Sequence, residues 1–137
     1  MKSAGYLGIQ KVLWLKPGEG IATSGVIPKD EEFFQDHFPG FPVLPGVLAL
    51  EMLRQSVEWY YEQVMPEVQR SFRIKKMRQV KFQDYLKPGD SWESRLELQS
   101  ELQNVTTWKA VLRHHERIAV QATIVLEEIH AGQKLVV

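Results

Sequence analysis

The sequence predicts an α+β domain in which about six mostly antiparallel strands wrap around one long helix. The segment from residue 46 to about residue 61 or 65 reads as the helix, and its first half carries apolar side chains around the whole circumference. A helix that is apolar all round has to be buried on all sides. Most of the remaining chain consists of strand-like runs separated by turn residues. Wrapping the sheet around the helix is the simplest way to bury it.

The chain before residue 28 predicts a β-hairpin. Residues 7–15 are mixed apolar and read as a first strand, and residues 21–27 read as a second strand. The turn between them contains Pro17, which presets φ, and Gly18, which accepts a positive φ. A connection this short joins neighbouring antiparallel strands.

The predicted helix changes character along its length. Pro66 stops it, because proline cannot continue a helix. Its second half is amphipathic, with three charged residues on the wetter side, namely Arg54, Glu58 and Glu62. Because only the first half is apolar on every side, we expect the helix to enter the core by its N-terminal end.

Four more strands are predicted after the helix. Their approximate bounds are 72–86, 92–102, 105–113 and 118–126. In the last of them every second residue is Ile, Val, Ala or Leu, which is typical of a half-buried strand. Turns are predicted at residues 87–90, at Asn104 and at residues 114–117, where His114 and His115 stand side by side. Neighbours on a strand point to opposite faces, so these two histidines are not expected to share a metal ion.

Composition and charge narrow the class of function. A length of 137 residues suits one domain, which we predict to span residues 1–137. Seventeen basic and seventeen acidic residues cancel, which argues against bulk nucleic-acid binding. The absence of cysteine excludes disulfides and thiolate metal sites. No secretory signal and no apolar run of about 18 residues is visible, so we expect a cytoplasmic protein that does not cross a membrane.

One stretch, residues 37–51, carries the groups for a chemical reaction. His37 lies in a loop stiffened by two Pro-Gly pairs, and Glu51 follows 14 positions later on the second turn of the apolar helix. A histidine base and an acid in an apolar environment are the groups needed to remove a proton from carbon and to expel a hydroxyl as water. Burial favours the protonated form of Glu51, which can then donate its proton. The alternative is an ion pair between Glu51 and Arg54.

The same stretch resembles a known family. The matching residues are His37-Phe38-Pro39-Gly40, Pro42-Val43, Pro45-Gly46-Val47-Leu48, Glu51 and Gln55, with a weaker match at Val80-Lys81-Phe82 and Pro88-Gly89-Asp90. In kind and spacing they resemble the β-hydroxyacyl-acyl-carrier-protein dehydratases of bacterial type II fatty-acid synthesis, over roughly residues 8–128. Phe41 departs from the family, which commonly has Arg there. The resemblance implies a hot-dog fold and the dehydration of 3-hydroxyacyl-(acyl carrier protein) to the trans-2-enoyl product, in fatty-acid or related acyl-chain biosynthesis.

The resemblance also implies a role for each catalytic group. His37 abstracts the C2 proton of a 3-hydroxyacyl thioester, and its ordinary pKa of about 6.5 leaves it able to accept that proton. Glu51 protonates the departing hydroxyl. This chemistry requires neither a metal ion nor a redox cofactor.

Four further residues are implied to bind substrate, namely Gly46, Val47, Phe38 and Gln55. The N–H groups of the first two hold the thioester carbonyl, because a helix N-terminus offers unpaired donors. Gln55 lies one turn beyond Glu51 and orients it by a hydrogen bond. From the residues alone, Gly46 equally serves the turn into the helix, and Gln55 equally serves as a polar residue at the rim of the core.

The implied partner is an acyl carrier protein whose phosphopantetheine carries the acyl chain. Carrier proteins of this kind are acidic, and the predicted docking residues are Lys75, Lys76, Arg78 and Lys81. The alternative is that these cations form an ordinary solvated face. The resemblance further implies a homodimer or a higher oligomer, with His37 from one chain and Glu51 from another in each site.

Two other functions stay open. The first is an acyl thioesterase, since hot-dog folds serve both chemistries and a fold does not determine a function. Such enzymes typically activate water with a carboxylate or an Asn on the helix and do not need the His-Phe-Pro-Gly loop, so His37 together with Glu51 favours dehydration. The second is a catalytically degenerate homologue that only binds the acyl carrier.

Overall fold

The computed structural model describes residues 9–27 and 46–129. The described elements are β1 (Lys11–Lys16), β2 (Gly20–Val26), α1 (Gly46–Val64), β3 (Ser71–Phe82), β4 (Ser91–Leu102), β5 (Val105–His114) and β6 (Arg117–Ile129). Each corresponds to an element that the sequence predicts, and the predicted α+β class is confirmed.

The six strands form one antiparallel sheet that packs on the helix. Their spatial order is β1-β2-β4-β5-β6-β3, so that β1 and β3 are the two edges of the sheet. After α1 the chain forms β3 at one edge of the sheet. It then crosses towards the other edge and forms β4 beside β2. This topology brings the end of β3 and the start of α1 together, although they lie more than thirty residues apart in the chain.

Buried side chains occur along nearly the whole length of the helix and not only at its N-terminal end. Met52, Leu53 and Val57 are fully buried, and Tyr60 and Tyr61 near the C-terminus are buried as well. The expected entry by the N-terminal end is therefore wrong. It fails because the aromatic side chains of the second half are long enough to reach the sheet, where Tyr60 and Tyr61 both contact the ring of Trp108.

A cluster of hydroxyl groups fixes the middle of the helix against the sheet. Thr23 Oγ1 of β2 lies 2.9 Å from Ser56 Oγ of α1 and 2.6 Å from Ser94 Oγ of β4. Ser56 Oγ also donates to the carbonyl of Met52 at 3.1 Å. All three hydroxyls are buried, and a buried hydroxyl is costly unless it is hydrogen-bonded. The cluster therefore favours one rotation of the helix about its own axis relative to the sheet.

Strand β3 ends earlier than the sequence predicts. It stops at Phe82 and not at residue 86, because the backbone then leaves the regular ladder. The N–H groups of Gln83 and Asp84 both donate to the carbonyl of Ala119. Further along the chain, the N–H of Gly89 donates to the carbonyl of Ile27. The segment from residue 83 to residue 90 is thus a connection that runs past the start of the helix.

Strand β3 is also irregular. Its register with β6 shifts between Ile74 and Lys76 and again between Arg78 and Lys81, and Gln79 has a φ of 53°. The shifts interrupt the alternation of inward and outward side chains, so that all of residues 75–79 are exposed. Bulges and lysines are common on edge strands because they discourage unwanted pairing with other chains.

Candidate active site

A cavity lies beside the first turn of the helix. Its volume is about 720 Å³, and its walls include Gly46, Ala49 and Leu50 of α1 together with Phe82, Tyr85 and Leu86. The walls are mainly apolar, and the helix contributes its first turn, whose N–H groups have no partner within the helix itself. This arrangement can hold an apolar chain with a polar carbonyl at the helix end.

The aromatic ring of Phe82 approaches Gly46 closely. A Cβ atom at this position would lie 2.5 Å from Cε1 of Phe82, which is closer than side-chain atoms pack. The Phe82 side chain is 53% exposed and can turn away. We therefore expect a methyl group at residue 46 to disturb the fold less than it disturbs the binding of a ligand at the start of the helix.

We expect Gly46→Ala to lower kcat/KM by about 10²-fold, since a displacement near 1 Å has that cost in a positioned reaction. The melting temperature should change little, because the half-exposed Phe82 ring can move. Steady-state kinetics with a 3-hydroxyacyl thioester measure the effect. Adding Phe82→Leu to the variant relieves the contact with the ring, and full recovery in that double variant would contradict a role for the Gly46 N–H.

The Glu51 carboxylate is paired with Arg54. Nε of Arg54 donates to Oε1 of Glu51 at 2.8 Å, and Nη2 donates to Oε2 at 2.5 Å. The Glu51 side chain is 36% exposed and lies on the side of the helix opposite the deeply buried residues. The expectation of a buried acid is therefore wrong for the single chain, and the alternative ion pair is present.

Arg54 is itself anchored to the start of β3. Its Nη1 donates to Oε2 of Glu58 at 2.6 Å and to the carbonyl of Phe72 at 2.9 Å. The same Glu58 oxygen accepts the N–H of Phe72 at 3.0 Å. Glu58 is only 6% exposed, so its predicted place on the wetter side of the helix is wrong. Burial is possible because a guanidinium and a backbone N–H satisfy the carboxylate.

Burial and these acidic partners act in opposite directions on Arg54. The hydrogen bond that Arg54 donates to Glu51 raises the pKa of Arg54, burial lowers it, and the charges of Glu58 and Glu51 raise it further. The net direction of the pKa shift is upward, so the acidic partners outweigh burial and favour the charged guanidinium.

Gln55 is adjacent to Glu51 and has spare hydrogen-bonding capacity. Its Nε2 lies 3.5 Å from Oε2 of Glu51, which is a long contact. Its Oε1 is buried and meets no donor in the part of the chain that the structure describes. Gln55 therefore lies within a long hydrogen-bond distance of the Glu51 carboxylate, and the described residues leave its buried oxygen without a donor.

The structure brings only some of the predicted site residues together. Gly46, Glu51 and Gln55 lie on one helix, but Gly46 borders the cavity whereas Glu51 lies on the opposite side. Val47 follows Gly46 in the first turn of α1. His37 and Phe38, like Phe41, lie outside the described residues, so their predicted roles stay predictions.

Two parts of the site were missed by sequence reasoning. The helical period places Glu58 on the exposed face and does not indicate the partners that bury it. Phe82 belongs only to the weaker family match, which does not indicate that its ring lies beside Gly46. The spacing of Glu51, Arg54 and Glu58 at i, i+3 and i+7 was a usable signal for a chain of ion pairs.

The predicted docking cations share one edge of the sheet. Lys75, Lys76, Arg78 and Lys81 are all exposed and all belong to β3. Their exposure is compatible both with carrier docking and with an ordinary solvated edge.

The paired histidines differ from the expectation. The rings of His114 and His115 do not diverge, because His115 has a φ of 56° and the ring centroids lie 4.0 Å apart. Nδ1 of His114 lies 3.0 Å from the carbonyl oxygen of Ser91. Within residues 9–27 and 46–129, no group of three or more His, Asp or Glu side chains is arranged to hold a metal ion.

No helix within residues 9–27 and 46–129 is long and apolar enough to cross a bilayer.

Comparison with known protein families gives one extended match. A family model described as ApeI-like, ApeI dehydratase, matches residues 16–122. A 3-hydroxyacyl-(acyl-carrier-protein) dehydratase FabZ from Levilactobacillus brevis is 34% identical over 132 residues, which cover 94% of this chain and 87% of that protein. FabZ from Dechloromonas aromatica is 29% identical over 122 residues, covering 87% of this chain and 85% of that protein.

Solved structures share the fold at low sequence identity. The dehydratase heterocomplex ApeI:P from Xenorhabdus doucetiae superposes with a TM-score of 0.77 at 12% identity, covering 93% of this chain and 86% of that one. A putative thioesterase from Lactococcus lactis superposes with a TM-score of 0.70 at 12% identity, covering 96% and 99%. These matches confirm the predicted hot-dog fold. They do not separate dehydration from thioester hydrolysis, because structures named for each activity share the fold.

Proposed function

Because the chain belongs to the ApeI-like dehydratase family, we propose that it removes water from 3-hydroxyacyl-(acyl carrier protein) and forms the trans-2-enoyl thioester in fatty-acid biosynthesis. The family match over most of the chain is the observation that carries this proposal, and the identity to FabZ supports it. In this proposal residues 1–137 act as one domain in the cytoplasm. Recovery of the tagged chain in a membrane or secreted fraction would contradict that location.

The mechanism assigns one proton transfer to each catalytic residue. His37 takes the C2 proton of the substrate, and Glu51 gives a proton to the C3 hydroxyl, which leaves as water. The N–H groups of Gly46 and Val47 stabilise the negative charge that develops on the thioester oxygen. Loss of one such donor typically costs about 10²–10³-fold in rate. Phe38 and Gln55 are assigned to substrate binding, and Gln55 lies beside Glu51 on the helix.

The position of Glu51 supports a site shared between two chains. The carboxylate lies on the helix side that its own sheet does not cover, and its side chain is 36% exposed. A second copy of the chain can bring His37 to this side and reduce access of water to the carboxylate. We therefore include a homodimer, at least, in the proposed function.

Subunit complementation tests the shared site. Mixing His37→Ala chains with Glu51→Gln chains should restore about one active site per mixed dimer, because each mixed dimer contains one intact pair. Mass spectrometry of differently tagged chains verifies that the subunits have exchanged. If exchange is complete and no activity returns, each site is built from a single chain.

The distinction from a thioesterase is made by the product. A 3-hydroxyacyl thioester incubated with the protein should give the 2-enoyl thioester, which mass spectrometry identifies by the loss of water. Release of the free acid and thiol would favour hydrolysis. Recovery of unchanged substrate, from carrier-linked and simple thioesters alike, would favour a homologue that only binds the carrier.

The exposed cations of β3 are proposed to dock the acyl carrier protein. Charge reversal at Lys75, Lys76 or Lys81 should raise KM for carrier-linked substrate, and the advantage over a simple thioester should shrink as salt rises. The reason is screening, since the Debye length falls from about 10 Å at 0.1 M to about 3 Å at 1 M salt. Arg78 is included in the same surface.

Lys11→Glu is the matched control, because Lys11 is exposed on β1 at the opposite edge of the sheet. It should leave KM for the carrier-linked substrate unchanged. If the three reversals on β3 behave like the control, the cations are a solvated edge and dock nothing.

A further inference from the structure

All three nitrogens of the Arg54 guanidinium donate hydrogen bonds inside one network. Nε and Nη2 contact the two oxygens of Glu51, and Nη1 contacts Glu58 and the carbonyl of Phe72. The side chain is 17% exposed, so it has little freedom to adopt other positions. Glu58 and the Phe72 carbonyl hold the planar guanidinium in place, so its other donors keep the Glu51 carboxylate in one orientation.

The network connects the helix to the edge strand. Glu58 accepts from both Arg54 and the Phe72 N–H, and Phe72 is buried. The position of the guanidinium is therefore set by the backbone at the start of β3 as well as by the helix. Any rotation of the Glu51 side chain away from Arg54 has to break two charge-assisted hydrogen bonds.

We propose that Arg54 is a positioning residue for the reaction, holding the Glu51 carboxylate in the orientation in which it exchanges a proton with the C3 hydroxyl. The inference rests on the proposed acid role of Glu51. Arg54 does not contact substrate in this proposal, because each of its three nitrogens already donates to a protein group.

The proton balance defines when the clamp acts. In dehydration the C2 proton passes to His37, the C3–O bond breaks, and the Glu51 proton leaves with the hydroxyl as water. Glu51 is then a carboxylate, and the bidentate pair with Arg54 stabilises this form. Transfer of the proton from His37 to Glu51 through solvent restores the starting state. In the reverse reaction the same clamped carboxylate accepts a proton from the attacking water.

Loss of the clamp should affect turnover and not binding. We expect Arg54→Ala to lower kcat by about 10²-fold, the typical cost of a misplaced catalytic group, with KM changed by less than about threefold. Arg54→Lys should recover only part of the rate, because an ammonium cannot form the two parallel contacts. Ethylguanidinium added to Arg54→Ala should restore part of kcat without changing KM.

The experiment measures kcat, KM and melting temperature for these variants with a 3-hydroxyacyl thioester. Arg113→Ala, an exposed arginine of β5, is the control and should match the wild type. Glu58→Gln removes the charge that anchors Arg54, so it should lower kcat in the same direction as Arg54→Ala. If Arg54→Ala does not fold, Arg54→Gln is judged by the same readouts.

A crystal structure of the Arg54 variant separates this inference from the proposed function. We expect Glu51 to leave its present rotamer; an unchanged rotamer overturns the clamp whether or not the protein is active. If the wild type is active and the Arg54 variant has an unchanged kcat, or differs only in KM, the clamp is overturned. The proposed dehydration is not affected by that result. An inactive wild type with a displaced Glu51 in the variant supports the clamp and removes the proposed reaction.

Discussion

Replacing His37 by alanine is expected to lower the rate of dehydration by about 10²–10⁴-fold, because the reaction then lacks the general base that removes the C2 proton. The fold should persist, since the described core of α1 and the six strands is formed by other residues. The rate of enoyl formation from a 3-hydroxyacyl thioester measures the loss, and thermal unfolding checks the fold.

His115→Asn is the matched control for this variant. His115 is exposed and has a φ of 56°, a conformation that asparagine tolerates better than most residues. It should retain the wild-type rate. Residual activity of His37→Ala within about threefold of the wild type would remove His37 from the mechanism, since a lost general base costs far more than that.

Glu51→Gln is expected to reduce dehydration by a similar factor, about 10²–10⁴-fold, because the amide keeps the shape of the side chain but cannot donate the required proton. Stability should fall by only about 1 kcal/mol or less, as is usual for a partly exposed ion pair. Arg54 keeps its contacts with Glu58 and the Phe72 carbonyl in this variant. Steady-state kinetics and chemical denaturation measure the two quantities.

Glu62→Gln provides the corresponding control, because Glu62 is an exposed carboxylate on the same helix. It should have wild-type activity. Normal turnover by Glu51→Gln would show that the carboxylate serves the ion pair with Arg54 alone. A large loss of stability in Glu51→Gln without a loss of rate would lead to the same conclusion.

The elements of this fold were predictable because their signals are local. Apolar side chains over several turns indicate the helix, and the alternation of apolar residues along residues 118–126 indicates β6. Both patterns arise from the geometry of the backbone, and neither needs knowledge of a distant partner. The end of β3 was less predictable, because residues 83–86 look like strand but their N–H groups donate outside the ladder.

The sequence by itself determined the α+β class, the turns and the motif from His37 to Glu51, and this motif resembles the dehydratase family. Only the tertiary structure decided that Phe82 contacts Gly46 and that Glu58, although charged, is buried. It also decided that Arg54 binds both Glu51 and the carbonyl of Phe72, 18 residues away. Periodicity records which side of an element is apolar, but whether a charge on the other side finds a partner depends on segments that the fold brings together.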